Sequence, residues 1–266
     1  MNFVRRTVRN AVSFSGLGLH SGNSVEVTVN PGESGIAFRS GPDRVLARPE
    51  NVSNTQRCTQ LGSVSTIEHL MSALAALEIT DAEIEVTGGE LPGLDGSALP
   101  FYRGLNAVST EEIGEGHCGD IFRRLFLPED SGRTISVSKG EGHWRYLFDL
   151  GPRWPGEQAF KSKLDDYEAE IAPARTLVLS EELEMAMKAG LGKGLTEESV
   201  LIIDPTGYRN FERFPDEPAR HKLLDLIGDL YLSGVPIRFL NVVAERTGHR
   251  INVAMAKMLA EAATMP

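Results

Sequence analysis

Two stretches of this chain run through the same series of elements, and that repetition restricts its fold more than any other feature. Residues 65–78 (STIEHLMSALAALE) set Ile67, Leu70, Met71, Leu74 and Leu77 at helical spacing. Ser65 and Glu68 stand at the spacing of a capping box. Residues 82–87 (AEIEVT) alternate apolar and polar side chains, as a half-buried strand does. Gly88-Gly89 and Pro92-Gly93 then break the chain, and a second helix is predicted over 98–107. The second half repeats the order: a helix over 218–232 with Pro218 in its first turn, a strand over 236–244 (PIRFLNVVA), and a last helix over 250–263. His69 lies early in its helix with Gly96 27 residues on, and His221 lies early in its own with Gly248 27 residues on. The equal offset points to two copies of one α+β unit, although common loop lengths also produce such spacing by coincidence. A true repeat would bring His69 and His221 together across a pseudo-twofold axis.

Further strands are predicted at 24–30, 36–39, 44–48, 121–127, 134–138, 143–150 and 199–204, and a helix capped by Ser180 over 180–189. The polar, glycine-rich stretch 109–120 (STEEIGEGHCGD) reads as a linker. It divides the chain into an N-terminal α+β domain, 1–113, and a C-terminal α+β domain, 119–266. A length of 266 residues suits two domains.

Charge narrows the function. Lys and Arg number 27 against 37 Asp and Glu, a net charge of −10. A protein that tracks nucleic-acid phosphates is usually basic, so no nucleic-acid partner is expected, and any anionic ligand must meet a local cluster of cations. No apolar run approaches the roughly 18 residues of a membrane span, and MNFVRRTVRN lacks the apolar core of a signal peptide. Cys58 and Cys118 cannot build a disulfide framework and read as reduced thiols of a cytoplasmic protein.

Three of the six histidines stand in suggestive company. His221 and Asp225 are four apart on a predicted helix, so an imidazole and a carboxylate share one face and can hold one metal ion without backbone strain. Asp229, four further on, can accept a hydrogen bond from a nearby imidazole. The same segment also fits a solvated helix face. Glu68 and His69 point about 100° apart on a helix and can divide the work, His69 on the metal and Glu68 beside its water; Glu68 also fits a plain capping role. His249 follows Gly248 at a helix start, where it can donate a proton or merely occupy the first turn. Two histidines, one carboxylate and a water make the open arrangement of catalytic zinc, and the same donors suit non-haem iron.

These residues lie inside motifs that resemble the UDP-3-O-acyl-N-acetylglucosamine deacetylases, zinc amidases of lipid A biosynthesis. The motifs are Gly16-Leu17-Gly18-Leu19-His20-Ser21-Gly22, Ser65-Thr66-Ile67-Glu68-His69-Leu70, Leu94-Asp95-Gly96-Ser97-Ala98, Ala174-Arg175-Thr176, Arg220-His221-Lys222-Leu223-Leu224-Asp225 with Gly228-Asp229-Leu230, and Gly248-His249. The resemblance implies two α+β domains of similar β-α-α-β topology, with helices sandwiched between the two sheets. It implies Zn2+ on His69, His221 and Asp225, Glu68 as general base, His249 as general acid, and Asp229 tuning His249. Thr176 would bond the oxyanion, and Lys222, Leu177, His20 and Arg133 would face a UDP-linked acylated glucosamine.

Two stretches depart from the family pattern. Only a proline and Gln158 are kept in Gly151–Gln158, where Arg153 can serve an anion and Trp154 can stack a base. Residues 192–199 (GKGLTEES) put a lysine and two glutamates where the family edges an apolar acyl passage, and such charges are costly against an acyl chain. The same amidase chemistry on a different acylated substrate is therefore one alternative. A non-catalytic sugar-nucleotide-binding relative is another, although binding alone needs neither Glu68 nor His249.

Overall fold

A computed structural model describes residues 1–264 apart from 130 and 191, with the backbone alone at 184, 186 and 187. It contains two five-stranded sheets built to one plan. Across the first, the strands run Val12–Leu17, Ser24–Pro31, Ala82–Thr87, Ile36–Ser40 and Asp43–Leu46. Across the second they run Leu125–Pro128, Thr134–Lys139, Leu240–Glu245, His143–Asp149 and Glu157–Lys163. In both, the central strand is the last to arrive in its half of the chain. It lies antiparallel to the strand on one side and parallel to the strand on the other. The 27-residue offset therefore marks a structural repeat.

Among the described residues six α-helices accompany the sheets: α1 (Glu68–Ala76), α2 (Leu99–Ala107), α3 (Tyr167–Glu170), α4 (Ser180–Lys188), α5 (Glu217–Tyr231) and α6 (His249–Thr264). In each half a helix precedes the central strand (α1, α5) and another follows it (α2, α6). Each sheet buries one face. Val25, Val27, Val29, Ile84 and Val86 turn inward from the first, and Trp144, Tyr146, Phe148, Leu240, Val242 and Ala244 from the second. This is the period-two burial expected when one side of a sheet meets a core. Helix α2 contacts the first sheet, α5 and α6 contact the second, and α1 packs against α2 and α5. Every residue of α1 from Glu68 to Ala75 is buried, as befits a helix with protein on all sides.

Helices α1 and α5 pack against each other, and Gly228 sets how closely. A Cβ at that position would lie 2.1 Å from the Glu68 carbonyl oxygen and 3.1 Å from the Ser72 nitrogen. Only a residue without a side chain lets the two backbones meet there. None of the described helices is long and apolar enough to cross a membrane.

The structure corrects several sequence expectations. The stretch read as a linker contains a strand, Thr110–His117, which pairs antiparallel with Asn2–Val8. Neither segment shows a strong hydrophobic pattern, and each is a strand because the other lies beside it. Ser65 does not cap α1. Its N–H donates to the Gly89 carbonyl (3.0 Å) and its carbonyl accepts from Leu91 (3.1 Å), which ties it into the neighbouring chain. The helix begins three residues later at Glu68. The strand predicted over 236–244 opens with a 3-10 turn, Ile237–Phe239, before Leu240–Glu245.

Candidate functional site

Close contact between α1 and α5 brings together the groups separated in sequence. The rings of His69 and His221 meet edge to face with centroids 5.1 Å apart. His221 Nδ1 donates to the Ala174 carbonyl (3.0 Å), which leaves the Nε2 lone pair facing the site. Asp225 Oδ1 lies 3.4 Å from His221 Nε2 and 3.6 Å from His69 Nε2. That oxygen is buried and has no hydrogen-bond partner, a costly condition for a carboxylate. Its second oxygen accepts from Lys222 Nζ (2.8 Å).

One divalent cation would resolve the arrangement. The three donor atoms lie within 4.8 Å of one another. Ligands held tetrahedrally at about 2.0–2.1 Å stand about 3.3 Å apart, close to the separations found. Two imidazole nitrogens, one carboxylate oxygen and a backbone carbonyl steadying one imidazole form a donor set suited to zinc or iron. Burial drives the His221 pKa down to about 3, so its ring is neutral and able to ligate. Burial also opposes the Asp225 charge, but its surroundings, including the Lys222 ammonium at 2.8 Å, outweigh it and hold the carboxyl well below its usual range.

Two further titratable groups flank the cluster. Glu68 Oε2 accepts the Thr59 N–H (3.0 Å), and Oε1 lies 3.9 Å from His249 Nε2. Burial pushes the Glu68 carboxyl up, against the pull of His249 and His69. His249 Nδ1 donates to Asp229 Oδ2 (3.0 Å). Burial works against charge on His249, but Asp229, Glu68 and Asp225 prevail and lift its pKa to about 9. Asp229 itself is fully buried and accepts from Thr59 Oγ1 (2.6 Å) and Asn252 Nδ2 (3.0 Å).

A cavity of about 210 Å3 opens over these groups, lined by Thr176, Leu177, His20, Lys222, Leu195 and Val200 among others. Thr176 is fixed from both sides: its N–H donates to Gly96 (2.8 Å) and its carbonyl accepts from Leu201 (2.8 Å). Preceding it, Arg175 donates through its backbone N and Nε to Glu217 Oε1, both at 2.9 Å, and so clamps this loop to the start of α5. The backbone N–H groups of His20 and Ser21 donate to the Glu90 carboxylate (2.7 and 3.0 Å). A Cβ on Gly18 would come within 2.4 Å of that carboxylate, which accounts for a glycine in the motif. Arg133 is exposed and is not among the residues lining the cavity. A wider cleft of about 720 Å3, near Phe3, Cys118 and Lys257, holds none of the residues proposed for metal, substrate or proton transfer.

The departing stretches fall into place. Lys193, Glu197 and Glu198 are exposed, while Leu195 faces the cavity. Arg153 pairs with Glu181 (2.6 Å) at the surface, and the ring of Trp154 packs edge-on against Tyr208 with centroids 4.4 Å apart. Cys58 is buried and its thiol is pushed up to about 12 by burial and by Glu68, an inert setting. Sequence reasoning missed Thr59, Glu90, Glu217 and Asn252. Asn252, three residues after His249 on α6, had a usable signal in its helical spacing. Glu217 opens α5, four residues before His221, and Thr59 and Glu90 reach the site from distant loops.

The sequence pattern of one protein family, described as UDP-3-O-acyl N-acetylglycosamine deacetylase, matches residues 5–261. The chain belongs to that family. Among its relatives, the UDP-3-O-acyl-N-acetylglucosamine deacetylase of Geotalea uraniireducens (strain Rf4) is 35% identical over 264 residues, covering 93% of this chain and 85% of the relative. The protein of the same name from Aquifex aeolicus (strain VF5) is 34% identical over 275 residues, covering 97% and 93%. A third, from Thermosynechococcus vestitus (strain NIES-2133 / IAM M-273 / BP-1), is 34% identical over 270 residues, covering 97% and 94%. Family membership thus spans both sheets and both helices that meet at the cluster.

Proposed function

We propose that this chain is a zinc-dependent hydrolase that removes the N-acetyl group from a UDP-linked 3-O-acyl-glucosamine, a step in lipid A biosynthesis. The observation that carries the reading is the unpartnered Asp225 Oδ1 between His69 and His221. His69, His221 and Asp225 hold the ion. When bound, Zn2+ lowers the pKa of its water to about 7 and polarises the amide carbonyl.

The remaining steps belong to the protein's own groups. Glu68, whose carboxyl is pushed up by burial, accepts the proton of the attacking water. The Thr176 hydroxyl donates to the oxygen that develops negative charge on the acetamide carbonyl. His249, kept charged by Asp229, delivers a proton to the departing amine. Acetate and a free glucosamine amine leave. Lys222 supplies positive charge toward the diphosphate, and His20 and Leu177 bound the sugar and the start of the acyl chain. Arg133 serves the nucleotide from outside the cavity. The reading treats 1–113 and 119–266 as two copies of one unit with the site at their junction. It places the protein in the cytoplasm, where Cys58 and Cys118 stay reduced.

Exposure of Lys193, Glu197 and Glu198 removes the main ground for a different acylated substrate. Glu68 and His249 facing one another weigh against a purely binding relative. The test is acetate release from UDP-3-O-acyl-N-acetylglucosamine by zinc-loaded protein. Stoichiometric acetate and amine are expected; a tightly bound nucleotide sugar with no acetate would reject the reading.

A further inference from the structure

We propose that the solvent-facing side of the second sheet docks on the anionic surface of a lipid bilayer. On that face, Arg145 of strand His143–Asp149 stands directly opposite Lys161, and His143 directly opposite Lys163, in register. Arg124 reaches the same face by donating to Ser136 Oγ (2.7 Å). These groups line a cleft of about 650 Å3.

Like charges placed opposite one another across a sheet repel. Asp166 and Glu170 also line the cleft, but neither pairs with these cations. Among the described residues, none of Arg124, Arg145, Lys161 and Lys163 has a carboxylate oxygen within ion-pair distance. The chain has 37 acidic residues against 27 basic ones, so a face gathering unpaired cations runs against its composition. A folded protein tolerates such a cluster most readily when its counter-charge arrives from outside.

The aromatic residues decide between polyanions. Phe126 pairs in register with Ser136, Ser136 with Val243, and Val243 with Arg145, so Phe126 and Val243 belong to the same outer face as the cations. Phe126 is 53% exposed, and Phe122, two residues before Arg124, is 83% exposed. Phe126 lies on the strand at one edge of the sheet, with Arg124 just before that strand, and Lys161 and Lys163 lie on the strand at the other edge. The face as a whole thus suits an interface that offers phosphate headgroups above acyl chains: the rings enter the boundary while the cations meet the headgroups. A nucleic acid would satisfy the cations. It would make less use of Phe122, which stands off the sheet at its edge.

The face is separate from the catalytic cavity, so the proposal stands whatever the enzyme's substrate. The test is co-sedimentation of the full chain with vesicles of mixed phosphatidylcholine and phosphatidylglycerol, and with vesicles of phosphatidylcholine alone. Binding to the mixed vesicles only, reversed by salt, is expected. Lys161→Ala with Lys163→Ala should weaken it by about 25-fold, fivefold per charge. Phe122→Ser with Phe126→Ser should weaken it by about tenfold. All four side chains are exposed, and an unchanged thermal midpoint verifies folding. Equal binding to both vesicle types, no binding, binding that survives either double variant, or tighter binding to a single-stranded RNA oligonucleotide would each overturn the proposal.

Discussion

Gly228 of α5 lies so near Glu68 of α1 that a methyl group on it would sit 2.1 Å from the Glu68 carbonyl oxygen. The contact fixes the spacing of the two helices that carry His69, His221 and Asp225. Gly228→Ala should therefore force α1 and α5 apart. We expect a loss of about 1–3 kcal/mol, as for overpacked cores, together with weakened metal binding. Chemical denaturation and metal titration of one preparation check both, and an unchanged midpoint would show that the helices yield without cost.

His221→Ala and Asp225→Ala should each remove bound metal and activity together, because two remaining ligands hold zinc poorly. Chelation of the parent protein should do the same, and added Zn2+ should restore it. Elemental analysis of the purified variants decides the matter: one metal ion per chain retained in either would exclude that residue as a ligand.

Glu68→Gln keeps the size and burial of the side chain but cannot accept a proton. It should retain metal while turnover falls by about 10² or more. A variant with parental turnover would reduce Glu68 to a structural partner of Thr59.

His249 carries a pKa raised to about 9, so its acid form is full below the ordinary value near 6.5 and is lost as pH climbs through the folded value. The stability gained from its contact with Asp229 follows the same course, present at neutral pH and fading in alkali. In metal-free protein, histidine NMR should show one ring titrating well above 6.5. Asp229→Asn should bring that midpoint down and move the alkaline limb of the rate profile to lower pH. A His249 midpoint at or below 6.5 in the parent would contradict the geometry.

Asp81 accepts from Arg5 Nε (3.2 Å), Thr80 Oγ1 (2.6 Å) and the Gly35 N–H (2.7 Å), joining the first strand to the start of a central one. Burial opposes its charge, yet Arg5, Thr80 and Gly35 hold the carboxyl below its usual range. Its stabilising effect is present above the unfolded pKa, near 3.9, and is lost as pH falls through the folded value. Asp81→Asn should cost about 2 kcal/mol at neutral pH and less in acid. Thermal midpoints at two pH values test the sign.

Much of the candidate site was legible from sequence because its candidate ligands obey local rules. His221 and Asp225 share a helix face through a four-residue spacing, and Glu68-His69 begins a patterned helix. The repeat was legible because each half alternates in the same order. Local pattern misled where long-range pairing took over. Ser65 offered a good cap but is tied to Gly89 and Leu91, and 109–120 looked like a linker until Asn2–Val8 lay beside it.

The amino-acid order alone thus settled the composition of the units, the residue types available for a metal, and the adjacency of candidate ligand pairs within a helix, because each depends on neighbours a few residues apart. Tertiary structure decided which groups face one another: the approach of α1 to α5 at Gly228, the bond from His249 to Asp229, the support of Thr59 and Asn252, and the turning of Lys193 and Glu197 to solvent. Those relations join residues far apart in the chain, and only packing of the two sheets around shared helices sets their distances and their dielectric surroundings.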